Sequence, residues 1–152
     1  MVPQQIERDI VIDAPVDIVW AVVTQPEHIK GWFSDAVELD LRPGGQALLR
    51  WDGREPVHGR VERVEPPHLF SFRWVVEPGV EVAEGNSTLV EFRLSEEGGG
   101  TRLTVVESGF ADLAGPEDEN QRRFDDHTGG WGIELGHLEE YLRQQTTTPA
   151  DR

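Results

Sequence analysis

A chain of 152 residues with a formal net charge of −15 has the length of one domain and can bury a sizeable core without covalent staples. The absence of cysteine excludes disulfides, thiolate metal sites and cysteine nucleophiles. A chain this acidic is repelled by phosphate backbones and anionic lipid, so neither nucleic acid nor membrane is an expected partner, and no apolar run reaches the roughly 18 residues that a bilayer span needs.

The first predicted element is a strand over residues 6–13, in which Ile6, Arg8, Ile10 and Ile12 share one face. Ala14 and Pro15 stop it. Pro15 suits the first position of a helix and Asp17 places an anion in its first turn. Val16, Val19, Trp20 and Val23 follow the spacing of a short amphipathic helix. Pro26 starts a second short helix over 27–30, ended by Gly31.

From about Asp35 the period becomes two. Strands are predicted at 35–41, 46–51, 56–65, 69–76, 87–95 and 101–109. The turn residues between them, such as Arg42 to Gly45, Asp52 with Gly53, and Glu97 to Gly100, make antiparallel neighbours. Residues 77–86, with Pro78, Gly79 and Gly85, read as a projecting loop. Residues 111–119 read as an acidic loop, 120–144 as one long helix, and 145–152 as a polar tail. The domain is therefore expected over 6–144. Asn86, Ser87 and Thr88 form a glycosylation sequon, read as a loop coincidence. Residues 1–8 lack the basic start and apolar stretch of a signal peptide, so the expected location is cytoplasmic.

This order of elements implies the α+β class and a curved sheet. Seven strands about 4.8 Å apart span roughly 29 Å, whereas one helix with its side chains is only about 10–12 Å across. The sheet must curl around the long helix, with the two short helices closing the gap, and a cavity for an apolar ligand is expected between sheet and helix, along residues 127–138. Phe124, Thr128, Trp131, Leu135, Leu138 and Leu142 form one stripe of that helix, and Gly129, Gly132 and Gly136 run beside it, with Gly130 elsewhere. Each mid-helix glycine costs about 0.8–1 kcal/mol relative to alanine. Close packing against the sheet and room for a ligand are both open as reasons.

Strand alternation turns Ala47, Leu49, Trp51, Phe70, Phe72, Trp74, Val90, Phe92, Leu103, Val105 and Glu107 toward the helix. From these and the helix stripe, the candidate ligand-binding residues are Trp51, Phe72, Trp74, Phe92, Glu107, His127, Trp131, Glu134 and Leu135. Glu107 is the one ionisable group on an otherwise apolar face, and such groups often mark sites. His127, Glu134 and Tyr141 lie seven residues apart, about 10.5 Å along the helix, too far to bond one another; each could anchor a different part of a ligand. No nucleophile elbow, no HExxH and no calcium-loop spacing is present, so no catalytic residue, metal ligand or cofactor is expected. His28, His58, His68 and His137 read as surface residues.

These landmarks, namely Ala14 and Pro15 with Val19 and Trp20, Trp32 and Phe33, Arg42 to Gly45, Gly59 with Glu65 to Pro67, Phe72 to Trp74, Gly100 to Thr104 with Ser108 to Phe110, and His127 with Gly130 and Trp131, resemble the bacterial homologues of the activator of heat-shock-protein ATPase, within the START-related helix-grip superfamily. The resemblance covers about residues 6–142. It implies a helix-grip fold, a curved seven-stranded antiparallel sheet around a long C-terminal helix, and hydrophobic small-molecule binding as the common theme. The resulting expectation is a non-enzymatic domain that holds an aromatic or polyketide-like molecule, as a monomer or weak homodimer. A cyclase-type enzyme using His127, Glu107 or Glu134 as acid or base, and a chaperone-assisting interaction module, are the alternatives.

Overall fold

In the computed structural model, which describes residues 2–147, seven antiparallel strands form one sheet in the order β1-β7-β6-β5-β4-β3-β2. The strands are β1 (Gln5–Ile12), β2 (Ala36–Leu39), β3 (Gln46–Arg50), β4 (Val57–Glu65), β5 (Leu69–Val75), β6 (Ser87–Glu97) and β7 (Gly100–Ser108). Between β1 and β2 lie α1 (Val16–Thr24) and α2 (Pro26–Trp32), and after β7 a single 3-10 turn at Phe110–Asp112 leads into α3 (Glu117–Thr147). This is the helix-grip α+β architecture expected. Every neighbour from β2 to β7 is a sequential hairpin, while β1 closes the far edge by pairing with β7, Ile6 opposite Glu107.

Both boundaries of the long helix differ from the sequence reading. The acidic run 117–119 is not loop but the first turn of α3, where carboxylates face the positive end of the helix dipole. At the other end the helix runs through Thr147, into the segment expected to be tail; residues 148–152 of that tail lie outside the described residues. Gly31 lies inside α2 rather than ending it. A Cβ there would run into the Tyr141 ring, so the absence of a side chain lets α2 approach α3.

The concave face of the sheet, α1, α2 and one stripe of α3 share the core. Val19, Val22 and Val23 of α1, Phe70, Phe72, Val90, Phe92, Leu103 and Val105 of the sheet, and Trp131, Leu135, Leu138 and Leu142 of α3 are all buried. Trp131 and Phe92 meet nearly at right angles, 5.9 Å between centroids, joining helix to sheet. Trp32 donates its indole N–H to the Val22 carbonyl at 2.9 Å, which ties α2 to α1.

The three glycines beside the stripe answer neither of their expected roles. Gly129, Gly132 and Gly136 are exposed, and a Cβ at any of them, or at Gly130, would touch nothing within 4 Å. They lie off the core stripe because the buried positions 131, 135, 138 and 142 already occupy the face toward the sheet. With open space around it, Gly132→Ala is expected to stabilise the protein by about 0.8–1 kcal/mol through helix propensity alone, raising Tm by roughly 2–4 °C. A thermal melt checks this, and a lower Tm would mean that the space is needed.

Candidate functional site

The interior is filled more completely than the width argument implies. Between sheet and α1–α2 only a small void of about 20 Å³ remains, lined by apolar residues including Val23, Ile29, Phe33, Leu49, Phe72 and Phe92. That is about the room of one probe sphere, and it offers no polar partner for water. The curled sheet does leave a space, but at the mouth. An open cleft of about 650 Å³ lies between the β3–β5 end of the sheet and the first half of α3, within the volume range of small-molecule sites.

Aromatic rings from four separate elements build the inner wall of this cleft. Phe33 follows α2, Trp51 follows β3, Trp74 is on β5 and Trp131 on α3, and all four line the cleft. Phe33 stacks on Trp74 at 5.7 Å and on Trp131 at 5.6 Å, and meets Trp51 edge-on at 5.4 Å. Asp35, Asp52, Arg54, Glu55, Arg123, Asp126, His127 and Glu134 supply the polar lining. Burial raises the Glu134 carboxyl above the ordinary carboxylate range, against the opposing hydrogen bond from His137.

Beneath the rings lies Glu107, which is completely buried. Its position follows from strand alternation: Leu103, Val105 and Glu107 of β7 point the same way, into the core. Four side chains satisfy it. Oε2 accepts the Trp74 indole N–H at 2.9 Å, the Thr88 hydroxyl at 2.6 Å and the His127 Nδ1–H at 2.8 Å. Oε1 accepts the Trp131 indole N–H at 2.8 Å and shares His127 at 3.0 Å. Desolvation pushes the Glu107 carboxyl upward, but the hydrogen bond and charge of His127, with the bonds from Thr88 and Trp74, outweigh it and hold the group below the ordinary range. A carboxylate with several donors is stabilised in this way.

A carboxylate accepts and cannot donate, so the proton of a neutral His127 sits on Nδ1 and leaves Nε2 as an acceptor. The His127 side chain keeps 24% of its surface exposed and lines the cleft. Nε2 makes no hydrogen bond to the described residues, yet Ser71 Oγ is the one buried side-chain polar atom without a partner among them; Nε2 therefore reaches open space. Along α3 the nearest carboxylate on the same flank, Glu134, is two turns away. The orienting carboxylate comes instead from β7.

Of the nine expected site residues, Trp51, Trp74, His127, Trp131 and Glu134 lie around the cleft, and Glu107 bonds three of the surrounding side chains from below. Phe72 and Phe92 line the inner void instead, and Leu135 is plain core. Tyr141 points away, its hydroxyl 2.7 Å from His28 Nδ1, so the half-buried His28 is anchored rather than a free surface residue; His68 is exposed, as expected, with its ring bonded to the Leu94 carbonyl. Sequence reasoning missed Phe33 and Thr88. Phe33 carried a signal in the adjacent pair Trp32 and Phe33 beside a helix end, whereas Thr88 was hidden in a formal sequon. Among the described residues no three His, Asp or Glu side chains are grouped to hold a metal, and no helix is long and apolar enough to cross a membrane.

Residues 13–143 match the family described as Activator of Hsp90 ATPase homolog 1-like protein. Among solved structures, CalU16 from Micromonospora echinospora is 29% identical with a TM-score of 0.70, over 95% of this chain and 79% of that one. DynU16, a protein in the dynemicin biosynthetic locus, is 25% identical with a TM-score of 0.75, over 94% of this chain but only 48% of its own. The bifunctional enzyme NanE/NanK of Brucella melitensis is 44% identical over 86 residues, 48% of this chain and 16% of that enzyme.

Proposed function

This chain belongs to the family of activator of Hsp90 ATPase homolog 1-like proteins, and from that premise we propose that it binds a small, largely apolar molecule in the cleft between the sheet and α3. The observation that carries the reading is the aromatic wall of Phe33, Trp51, Trp74 and Trp131 around about 650 Å³ of open space, with the open Nε2 of His127 at its edge. A concave aromatic wall with polar groups at its rim to orient the bound molecule is what a small-molecule site requires. The link between one structural relative and a biosynthetic locus supports a small-molecule role over a chaperone-assisting one.

His127 is the polar anchor in this reading. His127→Asn keeps a side-chain N–H near the position of Nδ1, so Glu107 stays satisfied, but removes Nε2. Loss of one neutral hydrogen bond of about 0.5–1.5 kcal/mol should weaken binding by a few-fold to about tenfold. His127→Ala should also destabilise the fold, because a donor to Glu107 goes with it. Titration of small aromatic alcohols, followed by quenching of the cleft tryptophans, checks both variants; unchanged affinity in His127→Asn would remove His127 from the site.

The Glu107–His127 pair favours one second reading. A histidine whose Nδ1–H is held by a buried carboxylate and whose Nε2 faces a cleft has the arrangement of a general base. Turnover of an enolisable carbonyl compound that disappears in His127→Asn would place catalysis above simple binding.

A further inference from the structure

Resting on the binding reading above, we infer that Phe33 is a movable partition, and that the molecule which displaces it is a flat aromatic one that takes over its stacking against Trp74 and Trp131. Among the described residues, Phe33 is the one that lines both the open cleft and the inner void. Its ring sits in the middle of four indoles: Trp32 at 5.0 Å, Trp51 at 5.4 Å, Trp131 at 5.6 Å and Trp74 at 5.7 Å between centroids.

The four indoles are pinned and the phenyl ring is not. Trp32 donates to the Val22 carbonyl, Trp51 to the Phe33 carbonyl, Trp74 to Glu107 and Thr88, and Trp131 to Glu107. Phe33 has no polar atom in its side chain, is only partly buried, and is held by ring contacts alone. Its backbone is fixed separately, the N–H donating to the Ile29 carbonyl at 2.8 Å and the carbonyl accepting from Trp51 at 2.9 Å. Side-chain rotation therefore needs no movement of α2 or β2. When the ring swings out it vacates a slot walled by oriented indoles and joins the cleft to the apolar void behind. A planar aromatic molecule recovers the offset-stacked contacts that Phe33 gives up, whereas a saturated ring of the same outline recovers only its apolar area. A hydroxyl on that molecule could donate to His127 Nε2.

The test uses 2-naphthol and its saturated counterpart decahydro-2-naphthol in calorimetric titrations of the full chain, with methyl NMR of the wild type. The expected result is binding of 2-naphthol about tenfold tighter than of the saturated compound, the size of a lost aromatic pair interaction. Methyl signals of Val23, Ile29 and Leu49, which line the inner void, should shift on binding. Phe33→Ala, which leaves the slot already open, should bind 2-naphthol several-fold tighter than wild type. Binding without shifts at those methyls, or weaker binding by Phe33→Ala, would show Phe33 to be a fixed wall and overturn the inference. Equal affinity for the two compounds would overturn the aromatic class while leaving the cleft as a site. No binding of either compound by wild type or variant would overturn the binding reading itself. Should Phe33→Ala fail to fold, the wild-type affinity ratio and methyl shifts decide alone.

Discussion

Replacing Glu107 with alanine is expected to destabilise the protein by about 3–5 kcal/mol, because each buried donor left without its acceptor costs roughly 1–3 kcal/mol. The deletion orphans the indole N–H groups of Trp74 and Trp131 and the Nδ1–H of His127, and leaves Thr88 with one partner fewer, in a site where the carboxylate is wholly excluded from water. For a chain of this size the loss lowers Tm on the order of 10 °C. Glu107→Gln keeps the volume but turns one acceptor oxygen into an NH₂ that faces donors, so it should recover only part of the loss. The wild type carries a matching pH signature. Because the folded-state pKa of Glu107 is depressed, its stabilisation is fully present above the unfolded value of about 4.3. It is lost as pH falls from there through the lower folded value. Denaturant melts at pH 7 and across the acid range check both claims: the Gln variant should lose less stability on acidification than the wild type, and equal slopes would mean that Glu107 is not the carboxylate responsible.

Trp131→Ala is expected to cost a similar 3–5 kcal/mol, as large-to-small core changes at aromatic sites do. The indole touches Phe33, Trp74 and Phe92 and is almost fully buried, so its removal opens the cleft floor and detaches α3 from the sheet. Trp131→Phe separates the two contributions. It keeps most of the apolar contact and removes only the N–H bond to the Glu107 carboxylate, a charged-group hydrogen bond worth about 1.5–3 kcal/mol. Chemical denaturation of both variants measures the difference. If Trp131→Phe cost as little as a surface change, the bond to Glu107 would be energetically idle and the buried carboxylate would depend on His127, Trp74 and Thr88.

The near-parallel rings and the buried carboxylate work on each other. An indole N–H bonded to a fixed anion cannot rotate without orphaning both groups, so Glu107 sets the planes of Trp74 and Trp131 and thereby the shape of the cleft. The same carboxylate holds the histidine tautomer. One ionised residue with no contact to solvent thus orients three groups around the cleft, and this makes it a positioning residue rather than a ligand contact.

Much of this was readable from local pattern. The period-two runs and the turn residues placed β3 to β7 within a residue or two, because alternation and Gly, Pro and Asp turn chemistry act over only a few positions. The inward set from Ala47 to Glu107 followed from the same alternation, and the stripe from Trp131 to Leu142 from the helical period. What local pattern could not supply was which distant groups meet. Glu107 and His127 are 20 residues apart, Trp74 and Glu107 33 apart, and they touch only because the sheet curls and α3 crosses its concave face at one angle. The same packing angle turned Gly129, Gly132 and Gly136 to solvent and moved the open space from the interior to the mouth. The sequence determined the elements, their faces and the superfamily fold. The carboxylate's four donors, the place of Phe33 and the position of the cleft were decided by tertiary packing, because they depend on the relative orientation of elements, which no short window of residues encodes.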